Sequence, residues 1–198
     1  MVYRASSPEL SPSAISTKMV VAGGFGAGKT TFVRSVSEIE PVTSEALMTE
    51  ASAGADDLSA TPDKVMTTVA MDFGRVSLDA DLALYLFGTP GQDRFWFLWD
   101  DLIRGALGAV VLADPRRLAD CFPAIEYFEN VPDMPFIVAL NCFDGILPYG
   151  IEDVRAALAI DPEVPLLTCD ARDTASAVYT LTELVRYAMN LTRDPVFA

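Results

Sequence analysis

An apolar run, a glycine loop and an amphipathic segment follow one another without interruption between Lys18 and Arg34. This junction constrains the chain more than any other feature. Met19-Val-Val-Ala22 leads into Gly23-Gly-Phe-Gly-Ala-Gly-Lys-Thr30, which continues as Thr31-Phe-Val-Arg34. The loop fits G-x-x-x-x-G-K-[ST], with the strand before it and the helix after it that the pattern requires. Its glycines permit a tight turn in which successive backbone N–H groups converge on an anion, and the helix start adds positive potential. Phosphate is the ligand for such a nest. Gly23, Gly26, Ala27 and Gly28 form the cradle, Lys29 is placed to bridge β- and γ-phosphates, and Thr30 offers its hydroxyl to Mg²⁺ on the same oxygens.

That local site works against the field of the whole chain. Of 198 residues, 28 are Asp or Glu and 14 are Lys or Arg, a formal charge of −14. A charge of this sign repels nucleic-acid backbones and anionic lipid, so neither nucleic acid nor a membrane surface is expected as a direct partner. The chain has no His, which excludes chemistry that needs imidazole, and its three cysteines, Cys121, Cys142 and Cys169, lack zinc-type spacing. Such a scattered, odd set reads as reduced thiols in a cytosol. Hydrophobic residues make up 51% of the chain, yet the longest small-apolar run, Gly105 to Ala113, is far short of the roughly 20 residues a spanning helix needs. A cytoplasmic protein without its own membrane anchor is expected.

Residues 1–16 are rich in Ser and Pro and read as a flexible arm, residues 17–192 as one α/β domain, and residues 193–198 as a short tail. Residues 41–64 are polar, acidic and small, and read as a long loop. Val69 to Leu78 and Asp81 to Phe87 predict two paired strands joined as a hairpin at Ser77 to Ala80. Apolar strands follow at Ala109 to Ala113, Phe136 to Leu140 and Val164 to Thr168. Helices are predicted at Arg94 to Arg104, Arg116 to Asn130, Glu152 to Ile160 and Thr174 to Asn190. This alternation implies a mostly parallel six-stranded sheet with one antiparallel strand and helices on both faces.

Four further segments fall at strand ends or beginnings. Leu86-Phe-Gly-Thr-Pro-Gly-Gln-Asp-Arg-Phe95 follows the second hairpin strand, Asn141-Cys-Phe-Asp144 and Thr168-Cys-Asp-Ala-Arg172 close later strands, and Thr68 precedes the first hairpin strand. Together with the glycine loop they stand in the order of the five motifs of small Ras-like GTPases. From Lys18 to about Leu191 the chain resembles that family, and within it the bacterial MglA-like and actinobacterial conservon-associated GTPases, which share the Pro-Gly-Gln segment.

The resemblance implies a GTP/GDP switch that hydrolyses GTP with Mg²⁺ as cofactor. Lys29 and Gln92 would be its catalytic residues, Gln92 orienting the attacking water, and Thr30 and Thr68 its metal ligands. Thr31, Gly91 and Cys169 join the nucleotide contacts, with the Gly91 N–H on the γ-phosphate. Asn141 would brace the base loop, and the Ala171 N–H would meet the guanine carbonyl. Asp144 can accept two hydrogen bonds from guanine N1–H and its exocyclic amine, which adenine does not offer. For the metal ligand, Thr68 is preferred over the adjoining Thr67 because Thr-x-x-x-Asp-Phe resembles the entry into the second strand of the family.

Three residues depart from the pattern. Gly88 stands where most relatives place an Asp that holds a Mg²⁺-bound water, Cys142 where the usual motif has Lys, and Phe25 where Ras has glycine. They predict weak metal affinity, looser base recognition and an obstructed arginine-finger route, hence slow intrinsic hydrolysis. Arg94 reads as a surface charge. The run Phe95-Trp-Phe-Leu-Trp99 is too continuous for one helical face to bury, so it divides between core and a partner surface. The resemblance implies a roadblock-family regulator, expected as a homodimer, together with a sensor-kinase signalling complex that would recruit the protein to the membrane. A nucleotide-binding scaffold with negligible turnover is the competing reading, and a P-loop small-molecule kinase the third.

Overall fold

The computed structural model describes residues 15–39, 42–46, 69–79, 81–91 and 93–191. Strand β1 (Ile15–Gly23) passes through the glycine loop into α1 (Lys29–Val36). There follow β2 (Val42–Ala46), β3 (Val69–Asp79), β4 (Leu82–Gly88), α2 (Trp99–Ile103), β5 (Gly108–Ala113), α3 (Phe122–Glu129), β6 (Phe136–Asn141), α4 (Ile151–Leu158), β7 (Leu166–Cys169) and α5 (Thr174–Leu191). The strands form one sheet in the order β2-β3-β4-β1-β5-β6-β7.

All neighbours in the sheet are parallel except at β3, which runs antiparallel to both β2 and β4. The mixed α/β architecture with one antiparallel strand is therefore as expected. The expected six strands are joined by a seventh, β2, which lies inside the segment read as a loop. Val42-Thr-Ser-Glu-Ala46 carries too little apolar alternation to signal a strand, and its place is set by pairing with the backbone edge of β3. At the other end of the loop, residues 47–68 lie outside the described residues. Ile15 and Ser16, expected in the N-terminal arm, pair with β4 as the start of β1.

Met19 and Val21 face one side of the sheet, and Val20 and Ala22 the other. Both sides are covered, so β1 reads as a continuous apolar run. One core packs Phe32 and Val33 of α1 and Leu181 and Leu184 of α5 against Leu86, Val110 and Leu112. The opposite core packs Trp99, Ile125 and Phe128, with Val154 and Leu158 of α4, against Val111, Val138 and Leu140.

The predicted helix from Arg94 begins instead as a 3₁₀ turn, Asp93–Leu98, before α2. The tighter winding splits the aromatic run: Phe95 and Trp99 are buried, while Phe97 is 49% exposed. The predicted Arg116 helix likewise starts with a 3₁₀ turn, Leu118–Cys121, since Pro123 is admitted only at a helix beginning. No helix among the described residues is long and apolar enough to cross a membrane.

Candidate nucleotide site

The loops after β1, β4, β5, β6 and β7 meet at the carboxyl edge of the sheet. β1 lies between β4 and β5, where the strand order reverses, and this crevice is where open α/β sheets bind ligands. In the loop after β1, Gly28 caps α1 in the left-handed region (φ 104°) and, lacking a side chain, gives the first-turn N–H groups no cap hydrogen bond. Those donors are left for an anion. A Cβ at Gly28 would lie 2.3 Å from Asn141 Nδ2, and one at Gly23 would lie 2.2 Å from the Leu112 carbonyl oxygen, so a side chain at either position would displace a neighbouring loop or strand.

Lys29 is 7% exposed and curls back over the loop, donating to the Gly23 and Gly24 carbonyls at 2.8 and 2.7 Å. Burial lowers its pKa to about 8, and nearby Asp72 opposes the shift. Gly91 closes over it: a Cβ there would sit 2.7 Å from Lys29 Nζ and 3.0 Å from Phe25 Cα. The phosphate loop and the loop after β4 are thus brought against the same ammonium group. Phe25 itself is 69% exposed.

Asp72 is the functional candidate that sequence reasoning missed. It lies on β3, directly opposite Gly88 of β4 in the antiparallel register, and its Oδ2 accepts a hydrogen bond from the Thr30 hydroxyl at 2.6 Å. A Cβ at position 88 would approach Asp72 Cβ to 3.0 Å, so the glycine leaves room for the neighbouring carboxylate. The signal was present in the Thr-x-x-x-Asp-Phe segment. It became legible only with the register that sets Asp72 beside Gly88.

At the other end of the crevice, the Asn141 amide is 2% exposed and joins two loops. Its Nδ2 donates to the Ala27 carbonyl at 2.9 Å, and its Oδ1 accepts from the Ala171 N–H at 3.0 Å. The Ala171 N–H that the resemblance directs to a guanine carbonyl is therefore engaged by Asn141. Beside this amide, Cys142, Gly145, Leu147, Thr168, Cys169, Asp170 and Ser176 line a pocket of about 250 Å³. The Cys142 N–H donates to the Cys169 carbonyl at 2.7 Å, and burial raises the pKa of both thiols, which holds them neutral.

The structure therefore gathers Gly23, Gly26, Ala27, Gly28, Lys29, Thr30, Gly91, Asn141, Cys169 and Ala171 along one edge, with Thr31 in the first turn of α1. Thr68, Gln92 and the side chains of Arg94 and Asp144 lie outside the described residues. Among the described residues, no group of three or more His, Cys, Asp or Glu could hold a metal ion by itself.

Two solved structures share this fold. The G domain of the T. maritima FeoB iron transporter aligns with a TM-score of 0.61 at 16% identity, over 88% of this chain and 99% of that one. The Arl6 BBS3 small GTPase from Trypanosoma brucei, solved with the nucleotide analogue GppNp, aligns with a TM-score of 0.63 at 15% identity, over 89% and 99%. No curated protein sequence matches the chain. Residues 21–191 match the profile of a family described as conserved hypothetical ATP binding proteins, and they run from the last residues of β1 to the end of α5. The chain belongs to that family and is a nucleotide-binding P-loop protein.

Proposed function

We propose that the protein is a guanine-nucleotide switch that binds GTP with Mg²⁺ and hydrolyses it slowly to GDP. The observation that carries this reading is the Thr30 hydroxyl held 2.6 Å from Asp72 Oδ2, one residue from the buried Lys29 ammonium. A hydroxyl and a carboxylate beside a phosphate nest are oxygen donors of the kind Mg²⁺ takes when nucleotide phosphates and water complete its shell. When bound, Mg²⁺ would neutralise charge developing on the phosphate oxygens. Asp72 would act through a metal-bound water, in the role that the resemblance gives to an Asp at position 88.

The guanine preference is supported by Asn141 and Asp144 in sequence and by the pocket beside Cys142 and Thr168 to Asp170. Asp144 would accept from the base, Gln92 would orient water, and Thr68 would join the metal when triphosphate orders its loop. Slow turnover follows from Phe25, whose backbone lies against Gly91 and whose exposed ring would obstruct the entry of a partner's arginine. The exposed rings of Phe25 and Phe97 suit an apolar partner surface. A roadblock-family homodimer is the proposed partner, within a sensor-kinase signalling complex.

Two other readings have observations of their own. The family description favours adenine nucleotide, and Gly88, Cys142 and Phe25 favour a scaffold with negligible turnover. Extraction and chromatography of the nucleotide retained by purified protein, followed by Mg²⁺-dependent single-turnover hydrolysis with Gln92→Ala and Lys29→Ala controls, separates them. Guanine nucleotide with slow turnover that Gln92→Ala reduces supports the proposal. Adenine nucleotide rejects the base assignment, and guanine nucleotide without turnover favours the scaffold.

A further inference from the structure

The loop after β5 belongs to none of the motifs above, yet it touches both ends of the crevice. Asp114 follows β5 with its carboxylate side chain only 2% exposed. Arg116 grips it at two points, Nε to Oδ1 at 2.9 Å and Nη2 to Oδ2 at 2.7 Å, and the Arg116 N–H donates to Oδ1 at 2.9 Å. Arg117 adds Nε at 3.7 Å from Oδ2 and places Nη1 3.4 Å from Asp120. A carboxylate this buried is costly unless it is both paired and hydrogen-bonded, and here it is both. The Arg116 hydrogen bonds hold its pKa below the usual carboxylate value.

From this common anchor the two arginines diverge. The Arg116 guanidinium lies 4.0 Å from the centre of the Phe143 ring, in the 3₁₀ turn that carries Asp144. Arg117 Nη2 donates to the Phe25 carbonyl at 3.0 Å, and a Cβ on Gly26 would stand 3.1 Å from the same nitrogen. One arginine thus rests on the base loop and the next on the phosphate loop. The Cys142 thiol, by contrast, turns back to the Leu140 carbonyl at 3.5 Å.

We propose that Asp114, Arg116 and Arg117 form a strut that sets the spacing between the phosphate loop and the base loop, so that a bound nucleotide is held at both ends. The proposal rests on the guanine-nucleotide reading of the site. All three are positioning residues: Arg116 acts through Phe143, Arg117 through the Phe25 carbonyl, and Asp114 fixes the two guanidinium planes relative to each other. A planar, always-charged fork suits both contacts, since it can stack on a ring with its face while donating along its edge.

The test is competitive displacement of a fluorescent GDP analogue by GDP, IDP and GMP. IDP lacks the exocyclic amine, so the GDP-to-IDP preference reads the base end. GMP lacks the β-phosphate, so the GDP-to-GMP preference reads the phosphate end. Arg116→Ala is expected to lower the first preference about three- to tenfold and to spare the second. Arg117→Ala is expected to lower the second about tenfold and to spare the first. Asp114→Asn lowers both, and Arg117→Lys recovers part of the Arg117→Ala loss. If Asp114→Asn does not fold, the two arginine variants decide, with their melting curves as controls. Preferences that stay fixed, or that fall together by one factor in every variant, overturn the strut while GDP binding by the unmutated protein stands. An unmutated protein that binds no GDP overturns the nucleotide reading, and the strut with it.

Discussion

The phosphate end and the base end of the crevice each lack one charged residue of the pattern this chain resembles, and the two absences are met differently. At the phosphate end, Gly88 leaves a space that Asp72 enters from the paired strand, and its carboxylate reaches the Thr30 hydroxyl at 2.6 Å. A carboxylate thus stands beside position 88, supplied from another place in the chain. At the base end, among the described residues, no such transfer is seen around Cys142. The neutral Asn141 amide bonds directly to the phosphate loop, and the Arg116 guanidinium lies over the Phe143 ring. The difference follows the ligand: phosphates need fixed charge in a chain of net charge −14, whereas a neutral base is recognised by shape and hydrogen-bond direction.

If the phosphate end carries the charge, removing its cation should have the largest effect. Lys29 makes two close carbonyl contacts that phosphate oxygens would replace on binding. Lys29→Ala is expected to weaken GDP and GTP binding about a hundredfold or more, since each charge-assisted hydrogen bond is worth about 1.5–3 kcal/mol. Isothermal titration checks this. A variant that binds within threefold of the parent protein would show that the charge of the site resides elsewhere.

The same contrast explains what could be read from the chain before its fold was known. The phosphate end is written contiguously, because one turn from Gly23 to Thr30 both builds the nest and supplies its lysine and hydroxyl. β1, β5 and β6 were equally legible, as strands buried on both faces must be apolar throughout. Asp72 and the Asp114 strut were not. Each acts through a partner dozens of residues away, across a strand register or a loop junction, and register carries no local signature. β2 was missed for a related reason: its five residues pair through backbone groups, which every residue type supplies. The Pro123 signal shortened a helix that composition alone had started at Arg116.

Asp72 allows the comparison to be sharpened. Asp72→Ala is expected to weaken Mg²⁺-dependent GTP binding about tenfold to a hundredfold, the range for loss of a residue that orients a metal's ligands. Binding of GDP in excess chelator should change by less than about threefold, because the Lys29 contacts remain. Titration of Mg²⁺ against the GTP complex measures the first quantity, and titration of GDP in excess chelator the second. Equal losses with and without Mg²⁺ would make Asp72 a structural partner of Thr30 alone. Gly88→Asp is a poor rescue of Asp72→Ala, since alanine keeps the Cβ that a Cβ at position 88 would approach to 3.0 Å.

The smallest expected effect concerns the proton on Lys29. Burial holds its pKa at about 8 in the free site, against an ordinary value of 10.5. A bound phosphate would favour the ammonium form and raise the pKa again, so binding above pH 8 takes up a proton. Affinity should be flat between pH 7 and 7.5 and then fall as pH rises, with a limiting slope of about tenfold per pH unit. In the nucleotide-free protein the sign reverses. The unfolded chain binds more protons at this residue between pH 8 and 10.5, so the stability of the parent protein relative to Lys29→Met should increase across that window. Nucleotide titrations at pH 7.5, 8.5 and 9.5, with Lys29→Arg as the permanently charged control, read the first effect. An affinity in the parent protein as flat as in the arginine variant would mean that Lys29 keeps its proton when the site is empty, and that burial costs the phosphate end less than its geometry implies.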